Sequence, residues 1–234
     1  MGINNTAVGS NALRDNTTGA YNVGIGSGAL ASNTTGNFNM AIGAGALLNN
    51  TANFNLAIGY RVGFMNTTGN HLTGIGAAAL RNNTTGGFNT AIGADALREN
   101  TTTDSNVAVG DSALGSFNGT GAFDGANTAL GSIALVSETS GQENVAVGWR
   151  ALESLTTGSN NTALGWRSGD DVSTGGSGVF IGSEAGFGVT TGSNIIAIGA
   201  FLSGVDSDLA SLITAVTSAT SPASPFPPRL LSVS

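Results

Sequence analysis

Hydrophobic and polar positions recur along this chain at every seventeenth position. Most repeats contain the segment Asn-x-Ala-x-Gly, in which the residue before the glycine is Val, Ile or Leu. The interval from Gly43 to Gly59 is one position shorter, and that from Gly110 to Gly131 is four positions longer. Self-similarity at a short fixed period predicts a solenoid, in which each repeat forms one coil stacked on the next. The repeated glycines are Gly9, Gly26, Gly43, Gly59, Gly76, Gly93, Gly110, Gly131, Gly148, Gly165, Gly182 and Gly199.

The alternation within this segment predicts a β-strand. Side chains alternate along a strand, so Thr6 and Val8 point to one face and Asn5 and Ala7 to the other. We assign the bulky face of Thr6 and Val8 to the core, and the small face of Ala7 to the close approach of another backbone. The predicted core residues are Val8, Ile25, Ile42, Ile58, Ile75, Ile92, Val109, Leu130, Val147, Leu164, Ile181 and Ile198.

The remainder of each repeat predicts bends and turns. After the glycine come two variable residues and then, usually, an Ala-Leu pair, which we interpret as a second short strand or a bend. The Asn-Thr-Thr-Gly segments are typical of turns, because Asn and Gly tolerate positive φ. A helical solenoid is disfavoured, since glycines and turns interrupt every segment before a stable helix could form.

These patterns predict an all-β protein, a parallel β-solenoid of twelve 17-residue coils. At a rise of about 4.8 Å per coil the rod would be roughly 55–60 Å long. Equivalent residues would form ladders, in which Asn5, Asn22, Asn39 and Asn55 bond amide to amide between coils. A thin single rod leaves one apolar strand face in water, so we expect a homotrimer packed along a common axis.

Composition narrows the choice of partners. Only 9% of the 234 residues are charged, and the net charge is −7. We therefore expect no nucleic-acid partner and no anionic membrane surface. The chain lacks cysteine, and its sequence shows neither a signal peptide nor an apolar run long enough to insert into a membrane.

Three repeat phrases carry a family resemblance: NTAIGADAL, NVAVGDSAL and NTALGWRSG. They resemble the YadA-like head repeats of trimeric autotransporter adhesins. They are closer still to the NTAIG…AL…NTTG repeats of bacteriophage tail-fibre proteins. The resemblance covers about residues 4–203. It implies a β-roll with three chains around one axis, located extracellularly in a virion fibre or on a cell surface.

The function that the resemblance implies is structural and adhesive. The chain would form a rigid shaft or head that binds a glycan or protein receptor on a host surface, with further copies joining end to end. The repeat here is three positions longer than the typical adhesin-head unit, so we expect longer loops on one edge. An anchor, a stalk and an intramolecular chaperone domain are not recognisable. A self-assembling filament stacked end to end is the alternative, and an ice-binding solenoid is disfavoured because Thr alternates irregularly with aliphatic residues.

Signals for catalysis are weak. His71 is the only histidine, and it occupies a position that other repeats fill with Tyr or Phe. The Gly-x-Gly triplets do not extend to a nucleotide-binding motif. The pairs Asp170–Asp171 and Asp206/Asp208 are better explained as solvated turn or capping residues than as a calcium site. We expect no enzyme activity, no cofactor and no metal.

Two features are candidates for receptor or glycan contact. An aromatic row comprises Tyr21, Phe38, Phe54, His71 and Phe88, one residue before the repeated Asn position in successive coils. The interval between Gly110 and Gly131 has four extra residues, and the loop that it forms includes Phe117, Phe123 and Asp124. Loops on a rigid scaffold commonly carry recognition. A ring stack closing one corner and a tolerated bulge are the structural alternatives for these features.

The chain divides into three parts by pattern. The solenoid repeats occupy residues 1–203. Apolar residues at helical spacing within 204–220 predict a short helical neck or cap. The Pro-rich segment 221–234 is typical of an extended or disordered tail.

Overall fold

The computed structural model describes residues 2–119 and 125–200, together with the backbone of 212–215. Each repeat contributes one short strand. The strands are β1 (Thr6–Val8), β2 (Val23–Ile25), β3 (Met40–Ile42), β4 (Leu56–Ile58), β5 (Thr73–Ile75), β6 (Thr90–Ile92), β7 (Val107–Val109), β8 (Thr128–Leu130), β9 (Val145–Val147), β10 (Thr162–Leu164), β11 (Val179–Ile181), β12 (Ile195–Ile198) and β13 (Leu212–Ala215).

The strands form one sheet whose spatial order is the order of the sequence. Strands β1 to β12 are parallel and pair equivalent residues of successive coils, as in Thr90 with Val107 and Ala91 with Ala108. The predicted parallel β-solenoid is confirmed, with twelve strands joined by eleven turns of the coil. The insertion after Gly110 does not disturb the stacking, because β7 and β8 keep the same register.

The Ala-Leu segment of each coil is a bend and not a second strand. It consists of turns in which the leucine has a φ of 48° to 54°, at Leu13, Leu30, Leu47, Leu80, Leu97, Leu114, Leu135 and Leu152. Such values are uncommon outside glycine. They are held by bonds between coils, since the N–H of Leu97 donates to the carbonyl of Ala113 at 3.0 Å.

The strand face that carries Ala or Gly lines the interior of the coil. We had expected this small face to contact the backbone of a neighbouring chain. The middle strand residue points inward, and Ala41, Ala91 and Ala146 are completely buried. The leucines of the Ala-Leu bends fill the remaining space. The predicted core assignment is therefore wrong, because these residues lie on the outer face: Val8, Ile25, Ile42, Ile58, Ile75, Ile92, Val109, Leu130, Val147, Leu164, Ile181 and Ile198.

The width of the coil explains this reversal. A Cβ placed on Gly24 would lie 3.2 Å from the carbonyl oxygen of Ala29 and 3.4 Å from Cγ of Leu13. The space between strand and bend therefore admits little more than a methyl group. Branched side chains at this position would overfill the interior, so Ala or Gly lies inside and Val or Ile outside.

Buried asparagines connect the coils beside the strand. The side-chain oxygen of Asn22 accepts a hydrogen bond from the backbone N–H of Asn39 at 2.9 Å, and its Nδ2 donates to the carbonyl of Gly36 at 2.8 Å. The predicted ladder exists, although its main bond joins a side chain to a backbone. A direct amide-to-amide bond of 3.1 Å is also present between Asn39 and Asn22.

A second column of asparagines stabilises the turn of the first six coils. These residues lie seven positions after the repeated glycine, and we call this the corner position: Asn16, Asn33, Asn50, Asn66, Asn83 and Asn100. Nδ2 of Asn83 donates to Oδ1 of Asn66 at 2.8 Å and to the carbonyl of Gly86 at 2.9 Å. Both bonds, one to the preceding corner asparagine and one within the turn, are also made by Asn33, Asn66 and Asn100.

The repeated glycine is required for both conformation and space. The twelve glycines have φ between 121° and 144°, where side chains are strongly disfavoured. A Cβ on Gly93 would lie 2.2 Å from the carbonyl oxygen of Gly110 in the next coil. No other residue can occupy this position without moving two coils apart.

Within the segment 204–220, the structure describes only Leu212–Ala215. These four residues form a strand that pairs antiparallel with β12, and not the predicted helix. Backbone pairing rather than a helix therefore continues the sheet beyond its last coil. The remainder of this segment and the predicted tail 221–234 lie outside the described residues.

Candidate interaction surfaces

The outer face of the sheet carries a continuous apolar surface. It consists of the first and last residues of each three-residue unit of strand, which we call the outer stripe: Thr6, Val8, Val23, Ile25, Met40, Ile42, Leu56, Ile58, Thr73, Ile75, Thr90, Ile92, Val107, Val109, Thr128, Leu130, Val145, Val147, Thr162, Leu164, Val179, Ile181, Ile196 and Ile198. Five members of the stripe are Thr and all the others are apolar. The stripe therefore contains no charge.

The outer stripe is open to solvent in the single chain. Val8 is 56% exposed and Leu164 is 49% exposed, whereas the inward Ala163 beside Leu164 is completely buried. Large contiguous apolar surfaces are rare on monomeric soluble proteins and mark interaction sites. The stripe is therefore the strongest candidate interface on the described part of the chain.

The aromatic row forms one continuous stack. Consecutive ring centroids of Tyr21, Phe38, Phe54, His71 and Phe88 are 4.9–5.1 Å apart. Each residue has a φ of 55° to 59°, which turns its ring outward at the corner. The rings are exposed at their edges, and the spacing matches the rise of one coil.

This stacking limits what the row can bind. A saccharide between two rings would need van der Waals contact on both sides, which takes about 3.5–4.0 Å on each. The observed spacing of 5.0 Å between Tyr21 and Phe38 leaves no room for it. Only the outward faces of the terminal residues Tyr21 and Phe88 remain free for a stacked ligand. The predicted glycan contact at Phe38, Phe54 and His71 is thereby restricted to ring edges.

Of the three predicted contacts in the loop after Gly110, one lies in the interior of the coil and two lie outside the described residues. Phe117 is completely buried at the corner position, so its predicted receptor contact is wrong. The ring fills the volume that Asn occupies in the preceding coils. The predicted contacts Phe123 and Asp124 lie outside the described residues.

Three aromatic–arginine pairs were not anticipated from the sequence. Each pair occupies the two positions after the repeated glycine, as Tyr60–Arg61, Trp149–Arg150 and Trp166–Arg167. The guanidinium carbon lies 5.1–5.2 Å from the centre of the adjacent ring in each case. The two indoles stack with centroids 5.6 Å apart. The recurrence of an aromatic residue before Arg at one repeat position was the available signal.

The arginines of these pairs differ in their electrostatic partners. Arg150 forms an ion pair with Glu153. Arg167 forms ion pairs with Asp170 at 2.6 Å and with Glu184 at 2.9 Å. In the described part of the chain, no carboxylate forms an ion pair with Arg61. Arg61 is therefore an uncompensated cation on an acidic protein.

The other titratable groups of the described residues include His71 and the pair Asp170–Asp171. Nδ1 of His71 lies 3.0 Å from Oδ1 of Asn70, within the aromatic row. Asp171 accepts a hydrogen bond from the N–H of Gly188 at 2.9 Å, and Asp170 is paired with Arg167. Across residues 2–119 and 125–200, no three His, Asp or Glu side chains are placed to hold a metal ion.

Glu138 is the one buried acid of the corner column. Its Oε1 accepts hydrogen bonds from the N–H groups of Ser140 and Gly141, while Oε2 is buried without a hydrogen-bond partner. Burial raises the pKa of Glu138 above its ordinary value of 4.5, although the backbone donors oppose this shift. Glu138 is enclosed in the turn and presents no surface to a ligand.

Comparison with known proteins returned no match to a family model, to a curated protein or to a solved structure. Within the described residues, no helix is long and apolar enough to cross a membrane. Function must therefore be inferred from the surfaces of the solenoid itself.

Proposed function

We propose that the chain is a structural and adhesive fibre protein. Three copies form the rigid shaft or head of an extracellular attachment fibre, such as a phage tail fibre or a bacterial surface adhesin. The observation that carries this proposal is the outer stripe, which runs across all twelve parallel strands without a charged residue. Such a surface requires an apolar partner of similar length.

A second copy of the same chain meets this requirement. Equivalent coils repeat at the spacing of hydrogen-bonded strands, about 4.8 Å. An unrelated globular partner would not match that spacing over twelve strands. An identical rod in parallel alignment has the same rise, so each Val or Ile meets its equivalent at every level.

Three copies make use of both sides of the stripe. Each strand presents one column through its first residue and another through its last, as with Thr90 and Ile92 of β6. Around a threefold axis, one column of a chain contacts one neighbour and the second column contacts the other. The resemblance to the head repeats of trimeric adhesins supports this arrangement over a dimer.

The attachment role draws its support from the resemblance and from the shape of the rod. A stack of identical coils places its corners and bends at regular positions along a stiff axis. Loops and side chains at those positions are suited to contact a glycan or protein receptor. The net charge of −7 disfavours nucleic acid as that partner.

Solution mass tests the trimer. We expect the wild-type chain to sediment at about 69 kDa, three times its mass of 23.0 kDa. Ile75→Asp places a charge in the middle of the outer stripe and should dissociate the assembly, because three desolvated carboxylates would face one axis. Thr85→Asp, on an exposed turn, is the matched control and should leave the mass unchanged. A monomeric wild-type protein at micromolar concentration would contradict the proposal.

Two alternatives predict other results. A filament stacked end to end would give a mass that rises continuously with concentration. An ice-binding solenoid would remain monomeric and show thermal hysteresis, since its stripe would face ice. The exposure of the outer face is compatible with ice binding. A regular array of Thr is absent from this face of β1 to β12, however, because only β5 and β6 carry adjacent Thr residues in the first column.

A further inference from the structure

A shallow groove of about 340 Å³ crosses the first four coils beside the bends. Its floor is made by small residues, including Gly28 and Gly45, and its upper wall by Tyr60, Arg61 and Phe64. Asn11 and Arg14 border the opposite end. The groove and the outer stripe lie on different surfaces. The groove residues belong to the bends that follow the repeated glycine, whereas the stripe residues belong to the strands that precede it.

The groove is open at Gly28, where a side chain is missing, whereas a Cβ on Gly45 would lie 3.3 Å from the Phe64 ring that borders the groove. Gly28 and Gly45 occupy the second position after the repeated glycine, with φ of 70° and 67°. Ala78, Asp95 and Ser112 adopt similar φ values of 54° to 58° at the same position of other coils. The conformation therefore does not by itself require glycine here. A Cβ on Gly28 would contact only Leu48, at 3.4 Å, so the space above the floor is open.

Arg61 provides the charge of the groove. Its guanidinium carbon lies 5.1 Å from the centre of the Tyr60 ring and 5.2 Å from that of Phe64. The two rings hold the side chain in position, and Arg61 has no carboxylate partner among the described residues. Arg14, at the other end, is neutralised by Asp15 at 2.8 Å.

We propose that this groove binds an acidic oligosaccharide, whose carboxylate pairs with Arg61 and whose sugar ring packs against Tyr60. A guanidinium fork matches a carboxylate with two parallel hydrogen bonds. The Tyr60 ring is half exposed and offers an apolar face beside that charge. The open, partly polar floor suits a hydrated ligand better than an apolar one.

The overall charge of the chain restricts the ligand further. A long polyanion would be repelled by a protein with a net charge of −7, whereas a short acidic saccharide contacts only the local cation. This inference rests on the proposed attachment role for its biological purpose. Its chemistry does not depend on the trimer, because all groove residues belong to one chain.

Trigalacturonic acid and its fully methyl-esterified form are suitable probes, because they differ only in charge. Isothermal titration calorimetry should show that esterification weakens binding about tenfold or more, the loss expected for a charge-assisted hydrogen bond. Arg61→Ala should weaken binding of the acid to a similar degree and leave the affinity for the ester unchanged. Arg150→Ala, in the equivalent aromatic–arginine pair, should leave both affinities within twofold.

A second variant tests the groove without removing Arg61. Gly28→Asp fills the floor and adds a negative charge, and Asp95 shows that this residue is tolerated at the same position. We expect it to abolish binding of the acid while circular dichroism stays unchanged. No binding of the acid at millimolar concentration, or binding that persists in both Arg61→Ala and Gly28→Asp, would overturn the proposal. A trimer that fails to bind would retain the fibre function and reject only the groove.

Discussion

The first six coils and the later ones build the same corner with opposite chemistry. The earlier corner is an unbroken column of Asn, whereas the later one comprises Phe117, Glu138, Leu155, Val172 and Val189. The backbone is nonetheless the same, since Thr67 N–H donates to Thr84 at 2.9 Å and Thr139 N–H donates to Thr156 at 2.9 Å. A corner is therefore stabilised by agreement in chemistry between stacked neighbours, either amides or apolar side chains, and Glu138 is the exception in the later coils.

The glycine column is common to both regions and gives the largest expected effect. Gly93→Ala and Gly148→Ala should each lower the free energy of unfolding by at least about 3 kcal/mol, since both combine a disfavoured φ with a backbone clash. The clash is 2.2 Å to a carbonyl oxygen in each case. Urea denaturation provides the measurement. Unequal losses would show that the two regions differ in more than their corners.

Exchanging the corner chemistry gives an intermediate effect. Asn83→Leu removes the acceptor of the Asn100 amide and the donor to the Gly86 carbonyl, and should cost about 2–3 kcal/mol. Val172→Asn buries an amide in the apolar column and should cost a similar amount. Thermal unfolding by calorimetry compares them with Thr157→Asn on an exposed turn. If either exchange is neutral, agreement between neighbours is not what stabilises the corner.

Glu138 gives the smallest effect and a dependence on pH. Its folded pKa is raised by burial, so the folded state binds more protons than the unfolded state above the ordinary value of 4.5. The contribution of Glu138 to stability is therefore fully present below pH 4.5 and is lost as the pH rises through the raised pKa. Glu138→Gln should stabilise the protein at neutral pH by on the order of 1 kcal/mol.

The pH profile of this variant separates charge from shape. Wild type and Glu138→Gln should have similar unfolding midpoints below pH 4.5 and diverge above it, with the variant more stable. A constant difference at all pH values would show that the amide changes packing instead. Glu143→Gln, on an exposed residue of the same coil, is the matched control.

The sequence was sufficient to predict the solenoid, its period and the parallel strands, because the spacing of the glycines demands a stacked coil. It did not reveal which strand face lies inside. Alternation separates Ala91 from Thr90 and Ile92, but both faces are apolar and alternation alone cannot orient them. The constancy of Ala and of the following Leu was the missing signal, since a narrow interior fixes its residues more strictly than a surface does.

The exceptions to the repeat show how strictly that interior is filled. Phe180 replaces the inward Ala and is completely buried. Three glycines surround its ring, Gly169, Gly178 and Gly186, at which a Cβ would lie 3.0, 2.5 and 2.4 Å from the Phe180 ring. Val62 is accommodated in the same way, since a Cβ on Gly74 would lie 2.4 Å from it. Each large side chain considered alone would be too big for the interior. The glycines around it compensate, so the total side-chain volume of the interior stays the same.

The candidate surfaces were only partly predictable for a related reason. The aromatic row was recognisable because its members share one repeat position. The contact between their rings depends on a positive φ, which the residue types at this position do not predict. The groove could not be recognised from Gly28 and Gly45 alone. It becomes a site only because Arg61 has no acidic partner among the described residues, whereas Arg167 does.

The stacking of coils also determines how the rod responds to tension. Hydrogen bonds between coils run along the axis, so a pull on the two ends loads them in series and releases one coil at a time. The chain of one coil extends to about 55–60 Å when straightened, against about 4.8 Å for a folded coil. Each released coil therefore lengthens the rod by roughly ten times its folded height, so that the rod extends under load instead of breaking at once.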